Sequence, residues 1–245
     1  MSYVKTRGIV VREVKAGDCD KILTIVTEDL GKISVSARGV RRNRNRYSAG
    51  TQVFSYCDWV LYKGKNTYIL NTCDIISSFY EIREDMALLT YAAHMLHLIN
   101  DITYENQPAK EPLKVLMYAL NSLLNKDRTP DLIIRVYALK MVQLMGFEPH
   151  VLGCHLCGTR EINDIFFSFE QCGFVCEQCQ KENDAIPIKT GTAKALIYVL
   201  CASSREAFGF ELSPEVLKNF SAVVDRYVDE RLDKKYSKMS FLQEI

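Results

Sequence analysis

Hydrophobic and polar residues alternate with a period of two from Tyr3 to about Ser77, and this pattern predicts β-strands. The third segment is the clearest, because Ile33, Val35 and Ala37 alternate with lysine and serine. Turn-forming residues separate the segments. The predicted strands are Tyr3–Val14, Lys21–Thr27, Lys32–Arg38, Gln52–Lys63 and Thr67–Ile76.

Five short strands without crossover helices fit a small closed barrel. The oligonucleotide-binding (OB) barrel is the common five-stranded form. An SH3-like barrel would give nearly the same pattern, and the strand count does not separate the two.

After Phe79 the hydrophobic spacing becomes helical, with the first helix extending from Ile82 to about Asn100. Further helices are predicted at Glu111–Asn125, Asp131–Gly146, Thr190–Ser203 and Ser213–Lys235. The fold class is therefore α+β with several domains. A barrel domain at 1–80 precedes a helical domain at 81–245, which carries an inserted cysteine module at about 150–184.

The segment after the third strand carries five arginines in nine residues: Arg38, Arg41, Arg42, Arg44 and Arg46. No acidic residue occurs between Asp29 and Asp58. Residues 1–80 hold 13 Lys and Arg against 7 Asp and Glu, a net +6, whereas residues 81–245 hold 18 against 23, a net −5. Guanidinium groups bind phosphates well, so the segment is a candidate nucleic-acid contact, although a solvated surface loop has the same composition.

Three aromatic residues near this segment could stack on bases. Tyr47 lies inside the basic segment and is the better candidate. For Trp59 and Tyr62, a place in the barrel core is favoured over a stacking surface.

Two CxxC pairs, Cys154/Cys157 and Cys176/Cys179, are separated by eighteen residues, a spacing typical of zinc sites. A phenylalanine-rich β-hairpin is predicted between them. The alternatives are reduced cysteines or a redox pair, but redox CxxC motifs favour a βαβ setting that the pattern lacks. Cys172 and His155 are left outside the ligand set. Four thiolates close a structural Zn²⁺ site, so no catalytic role is expected for it. The remaining cysteines, Cys19, Cys57, Cys73 and Cys201, are predicted to be buried thiols.

Common catalytic motifs are missing from the sequence, which contains no Walker loop, GxGxxG, GxSxG or HExxH. The sequence also lacks an apolar run of membrane-spanning length and a signal-peptide core. We therefore expect a protein that is not an enzyme, does not bind membranes and is cytoplasmic.

Several short motifs occur in a specific order along the chain. They are Lys5-Thr6-Arg7-Gly8-Ile9-Val10, Gly17-Asp18-Cys19-Asp20-Lys21-Ile22-Leu23, Leu30-Gly31-Lys32-Ile33-Ser34, Ala37-Arg38-Gly39-Val40-Arg41-Arg42, Tyr62-Lys63-Gly64-Lys65, Phe79-Tyr80-Glu81-Ile82-Arg83, Gly146-Phe147-Glu148-Pro149, the four cysteines, Phe167-Ser168-Phe169 and Ser240-Phe241-Leu242. Together they resemble the bacterial RecO family of recombination mediators over essentially the whole length.

The resemblance implies an N-terminal OB barrel and a helical domain with a zinc knuckle. It implies binding of single- and double-stranded DNA, annealing of complementary strands, and loading of RecA onto single strands coated with SSB, together with RecR and in many bacteria RecF, in association with the nucleoid. The helical domain would bind the acidic C-terminal tail of SSB. Such a tail needs an apolar groove with a basic rim, for which Arg135 or Lys140 are the candidates in this chain. On the family pattern, the DNA-binding positions are Lys5, Arg7, Lys21, Lys32, Arg38, Arg41 and Arg42; Arg44 and Arg46 are added on charge alone.

Two functions from other classes compete with this hypothesis. One is a zinc-stabilised nuclease or base-modifying enzyme. The other is an assembly adaptor whose arginines bind an acidic protein partner.

Overall fold

Five strands in the first part of the chain close into a barrel in the order β1-β2-β3-β5-β4, with β3 and β5 parallel and the other neighbours antiparallel. The strands are β1 Tyr3–Ala16, β2 Asp20–Thr27, β3 Gly31–Ala37, β4 Tyr56–Lys63 and β5 Tyr68–Ser77. The computed structural model describes residues 3–65, 67–126, 128–160, 164–180 and 185–232. This strand order is that of an OB barrel and confirms the predicted fold class.

The barrel core contains the inward side of each strand, including Leu23, Ile25, Val35 and Leu61. Trp59 belongs to this core, as the sequence favoured, and its indole Nε1 donates to the Gly8 carbonyl at 2.9 Å. The same prediction is wrong for Tyr62, which is half-exposed and lies outside the core. A Cβ at Gly8 would lie 2.6 Å from the Val26 carbonyl oxygen, so β1 and β2 can approach closely here only because residue 8 is glycine.

The fourth strand is shorter than predicted. Gln52 to Ser55 form a turn instead, in which Phe54 has a left-handed φ of 73° and donates its N–H to the Val10 carbonyl at 3.0 Å. Residues 38–55 therefore form one long connection between β3 and β4, which contains all five clustered arginines.

Among the described residues, six helices follow the barrel: α1 Tyr80–Glu84, α2 Met86–Ile102, α3 Lys110–Asn125, α4 Pro130–Leu144, α5 Thr190–Cys201 and α6 Pro214–Leu232, with a 3₁₀ turn at Glu206–Phe208. The first predicted helix is divided in two. Asp85 interrupts it in an extended conformation, and its carboxylate caps α2 by accepting from the N–H groups of Ala87 and Leu88. In the described part of the chain, none of the helices has the length and apolar character needed to cross a bilayer.

The chain forms two compact units, Met1–Leu120 and Asn121–Ile245. In the first unit the β2–β3 turn pairs with the segment after α2. There, Lys32 N donates to the Tyr104 carbonyl at 3.1 Å and Asn106 N donates to the Leu30 carbonyl at 3.0 Å. The domain boundary near residue 80 remains a prediction, placed where strands give way to helices.

In the second unit, a small sheet lies between α4 and α5 in the chain. Its strands are β6 Ile165–Ser168, β7 Gly173–Cys176 and β8 Ile186–Pro187, in the order β7-β6-β8. The predicted hairpin between the cysteine pairs is confirmed. Phe167 is fully buried and makes edge-on contacts with Phe169, Phe174 and Tyr227 of α6. The module's predicted end at 181–184 lies outside the described residues.

Candidate nucleic-acid interface and metal centre

The arginine segment, residues 38–46, is held at its base by the β1–β2 turn. Gly39 has a left-handed φ of 68° and donates its N–H to Asp20 Oδ1 at 2.7 Å. Two residues later, Arg41 N donates to the Cys19 carbonyl at 2.9 Å. These bonds fix the direction in which the segment leaves β3.

All five arginines of the segment are exposed. Arg41 Nη1 donates to the Gly17 carbonyl at 3.1 Å, and the Arg46 guanidinium lies 4.5 Å from the centre of the Tyr47 ring. Within the described ranges, none of the five forms an ion pair with a carboxylate. Their positive charge is therefore available to a ligand.

Tyr47 anchors the far end of the segment. Its half-buried ring packs against the barrel core, and its hydroxyl is buried without a hydrogen-bond partner among the described residues. Arg46 covers part of the ring. The structure thus gives Tyr47 a packing role and lends no support to the predicted base stacking.

The other basic residues predicted to contact DNA, which lie on the strands of the barrel, differ in their exposure and bonding partners. Lys5 is exposed, and Arg7 forms an exposed ion pair with Asp58 at 2.9 Å. Lys21 Nζ is bound by Glu13 at 3.0 Å and by the Thr51 carbonyl at 3.3 Å. Lys32 Nζ donates to the Asn100 carbonyl at 2.6 Å. The structure therefore groups the five loop arginines, whereas Lys21 and Lys32 already have internal partners.

Two lysines that were not among the predicted DNA-binding positions, Lys63 and Lys65, are exposed at the β4–β5 turn. The strand after this turn pairs with β3 in parallel, Tyr68 with Val35 and Ile69 with Ser36. The turn precedes Tyr68 and therefore extends toward the start of β3, away from Arg38, so the two lysines form an exposed basic site separate from the arginine segment. Their place in a predicted turn and in the motif Tyr62-Lys63-Gly64-Lys65 were the signals in the sequence.

The four predicted metal ligands come together in the second unit. The sulfur atoms of Cys154, Cys157, Cys176 and Cys179 all lie within 4.8 Å of one another. Tight turns create this arrangement: Gly158 N donates to the Cys154 carbonyl at 2.9 Å, and Cys179 N donates to the Cys176 carbonyl at 3.0 Å. Both turns direct their sulfur pairs to the same point.

The donor set fits a metal cation. Burial raises the pKa of Cys154, but N–H groups of Cys157, Cys176 and Leu156 outweigh it and lower the pKa to about 6. Hydrogen bonds with the neighbouring thiols of Cys176 and Cys157 raise the pKa of Cys179 to about 12. The thiol of Cys154 thus favours the thiolate, whereas that of Cys179 resists ionisation unless a cation compensates its charge. A set of four sulfur ligands suits Zn²⁺.

The remaining cysteines and His155 lie outside this cluster. Cys172 Sγ instead contacts Arg231 Nη1 at 3.2 Å, and the exposed His155 packs against His150 with ring centres 5.1 Å apart. Cys57 and Cys73 are buried as predicted. The prediction of a buried thiol is wrong for Cys201, which is exposed near the end of α5, and for the half-exposed Cys19 in the β1–β2 turn.

Arg135 and Lys140, the candidates for a basic rim, both have internal partners. Arg135 forms ion pairs with Asp131 at 3.1 Å and Asp225 at 2.9 Å. Lys140 is only 6% exposed and donates to the Ala202 carbonyl at 2.8 Å and to Gln143 Oε1 at 2.9 Å.

Comparisons with known proteins match the whole length of the chain. The family model "Recombination protein O N terminal" matches residues 1–79, and "Recombination protein O C terminal" matches residues 83–240. A protein of Acetivibrio thermocellus named DNA repair protein RecO is 43% identical over 246 positions, covering 100% of this chain and 98% of the relative. A protein of the same name from Alkaliphilus metalliredigens is 33% identical, covering 94% of this chain and 94% of the relative. One from Bacillus pumilus is 31% identical, covering 93% of this chain and 88% of the relative.

Proposed function

The chain belongs to the RecO family of DNA repair proteins, and on that premise we propose that it acts as a recombination mediator that binds and anneals DNA. It would bind single and double strands through phosphate contacts, with little sequence preference. Together with RecR and, where present, RecF, it would help RecA replace SSB on single strands.

The observation that carries this proposal is the arginine segment, which displays five exposed guanidiniums without a carboxylate partner in the described chain. Because its two ends are fixed by the β1–β2 turn and by Tyr47, the loss of backbone conformational entropy on binding a ligand is reduced. Neutralising the phosphates of two strands held close together lowers their repulsion, so base pairing is faster. This mechanism needs no bond chemistry and no ATP.

We propose that Cys154, Cys157, Cys176 and Cys179 hold a structural Zn²⁺ ion, which would stabilise the fold of the module. With four cysteine ligands the ion has no open coordination position for water or substrate. The proposed function therefore assigns no reaction step to the metal.

The proposed protein partners are RecR and, for the helical domain at 81–245, the acidic tail of SSB. The proposed location is the cytoplasm, at the nucleoid. Since Arg135 and Lys140 are already bound by internal acceptors, the rim of a tail-binding groove needs other cations. Titrating labelled tail peptide against the full chain, in wild type and in an Arg135→Gln variant, tests this. Equal affinity would exclude Arg135 from the rim.

An annealing assay with complementary strands, bare and coated with SSB, tests the proposal. The test variant combines Arg38→Ala, Arg42→Ala and Arg44→Asn; asparagine is chosen at residue 44 because Arg44 has a left-handed φ of 62°. The control removes three exposed lysines from helices, Lys110, Lys194 and Lys218. We expect annealing to slow at least about tenfold in the test variant only, from the loss of about three phosphate contacts.

The competing functions predict other outcomes of the same preparations. A nuclease or base-modifying enzyme would cleave or alter labelled DNA in the presence of magnesium. An assembly adaptor would not bind bare oligonucleotides in a salt-sensitive manner. The proposal is contradicted if the arginine variant anneals DNA as fast as wild type and the protein either alters DNA or fails to bind it in a salt-sensitive manner.

A further inference from the structure

The outer surface of the barrel carries a row of mostly apolar side chains that runs across the strands and includes one polar residue, Ser36. Direct cross-strand pairing joins its members, which are Val14, Ile22, Ser36, Ile69, Tyr62 and Tyr3 in that order. All six are exposed or half-exposed, whereas their neighbours along each strand include the buried core positions Leu23, Val35 and Leu61. We call these six residues the outer row.

The outer row ends in a pair of tyrosines. Tyr3 and Tyr62 face each other across β1 and β4, with ring centres 6.0 Å apart and planes at 66°. Tyr3 is 62% exposed, so most of its ring surface is open to solvent. Ile69 of β5 is the next residue in the row and extends the apolar surface beside Tyr62.

The charges around the outer row favour an anionic ligand. Residues two positions before or after a row member in the chain point to the same side as that member. The charged residues at these positions are three exposed basic residues, Lys5, Arg12 and Arg38, and one acidic residue, Asp20. Asp20 Oδ1 already accepts the Gly39 N–H. At the tyrosine end, the exposed Lys63 follows Tyr62 directly. Exposed aromatic rings flanked by cations are the arrangement with which proteins hold single-stranded nucleic acid.

The row is also continuous with the arginine segment, because Ser36 of β3 is two residues before Arg38, the first residue of that segment. From these observations we infer that Tyr3 and Tyr62 form a stacking platform for unpaired bases, so that a single strand bound at the arginine segment continues along the outer row. This inference rests on the proposed function and adds the residues that distinguish single strands from duplex DNA. The arginine segment contacts phosphates of any DNA, whereas the platform requires bases that a duplex keeps stacked inside.

Binding measurements with single-stranded and duplex oligonucleotides of equal length test the platform. Because one aromatic–base stack is worth about 1–3 kcal/mol, Tyr3→Ala is expected to weaken single-strand binding at least about fivefold and to leave duplex binding unchanged. Tyr3→Phe keeps the ring and should bind like wild type. Tyr104→Ala, which removes another exposed tyrosine of the same unit, is the matched control.

The salt dependence separates the platform from the phosphate contacts. Tyr3→Ala should keep the wild-type slope of log affinity against log salt, whereas the arginine variant should reduce it. If Tyr3→Ala binds single strands like wild type while the arginine variant is weakened, the platform is wrong and the proposed function stands. If the arginine variant also binds normally, both are wrong.

Crosslinking of the unaltered protein gives a test that does not depend on folding of a variant. Single strands carrying 5-iodouracil, irradiated in the complex, should crosslink to the peptides that contain Tyr3 or Tyr62. Crosslinks confined to other peptides would contradict the platform. The same result is expected if the outer row binds a protein instead of DNA.

Discussion

At the scale of single residues, Gly31 shows how closely the barrel and the segment after α2 approach each other. It has a left-handed φ of 69°, and a Cβ at this position would overlap the carbonyl oxygens of Tyr104 and Gln107. The adjacent Lys32 adds a side-chain bond to the Asn100 carbonyl. Residues 31 and 32 therefore position α2 and the segment that follows it. The structure does not support a DNA contact for Lys32, which the sequence resemblance implied.

The first prediction concerns Gly31→Ala. The added methyl group forces the β2–β3 turn away from Tyr104 and meets an unfavourable φ, so the free energy of unfolding should fall by about 2–4 kcal/mol. Urea denaturation measures the change. Gly17→Ala is the control, because Gly17 has a φ of 57° but open space at its Cβ position. It should lose only about 1 kcal/mol. Equal losses of unfolding free energy in the two variants would contradict a stabilising role for the close approach of Gly31 to the Tyr104 carbonyl.

The second prediction concerns Lys140, whose buried ammonium group binds carbonyls at the end of α5. Lys140→Met leaves the Ala202 carbonyl and Gln143 Oε1 without their donor, so unfolding should become easier by about 1–3 kcal/mol. Lys194→Met, on the exposed side of α5, should stay within about 0.5 kcal/mol of wild type. Chemical denaturation of both variants checks this.

The same lysine gives a pH dependence. Burial lowers the pKa of Lys140 from its ordinary 10.5, so the folded state holds the proton less tightly than the unfolded state. The resulting penalty is fully present below the folded-state pKa and is relieved as the pH rises to 10.5 and above. Wild type should therefore gain stability relative to Lys140→Met as the pH increases through this window. A constant difference would contradict the assignment.

At the scale of elements, the sequence predicts what depends on local pattern. The alternation of hydrophobic and polar residues predicted β2 and β3 with nearly the observed bounds. The CxxC spacing predicted the four cysteines that come together. The divided first helix was missed because hydrophobic spacing continues through Asp85, and only its capping bonds show the break. Partners distant in sequence were also missed, since Lys32 and Asn100 are 68 residues apart. The outer row depends on the register of all five strands, which no local pattern contains.

The cysteine module provides the third prediction. Cys154→Ser removes a ligand whose loss should abolish zinc binding and unfold the module, while the barrel stays folded. Cys172→Ser, in the turn between β6 and β7, should retain one zinc per chain. Elemental analysis gives the metal content, and hydrogen exchange reports on β6 and β7. Full zinc content in Cys154→Ser, or its loss in Cys172→Ser, would contradict the ligand assignment.

At the scale of the whole molecule, the charge is divided along the chain. The first 80 residues carry a net +6 and the remainder a net −5, although the total is only +1. The positive excess is concentrated in the arginine segment, where internal carboxylates do not neutralise it among the described residues. This member of a family of DNA repair proteins thus carries its densest cluster of arginines on the barrel type that commonly binds oligonucleotides.

The most direct test of this account is the salt dependence of single-strand affinity, measured for wild type and for the variant Arg38→Ala, Arg42→Ala and Arg44→Asn. If each of the five loop arginines neutralises one phosphate, log affinity should fall against log salt with a slope of roughly −3 to −4. Removing three of them should make the slope less steep by about 2. A wild-type slope near zero, or an unchanged slope in the variant, would contradict the claim that the arginine segment binds the DNA backbone.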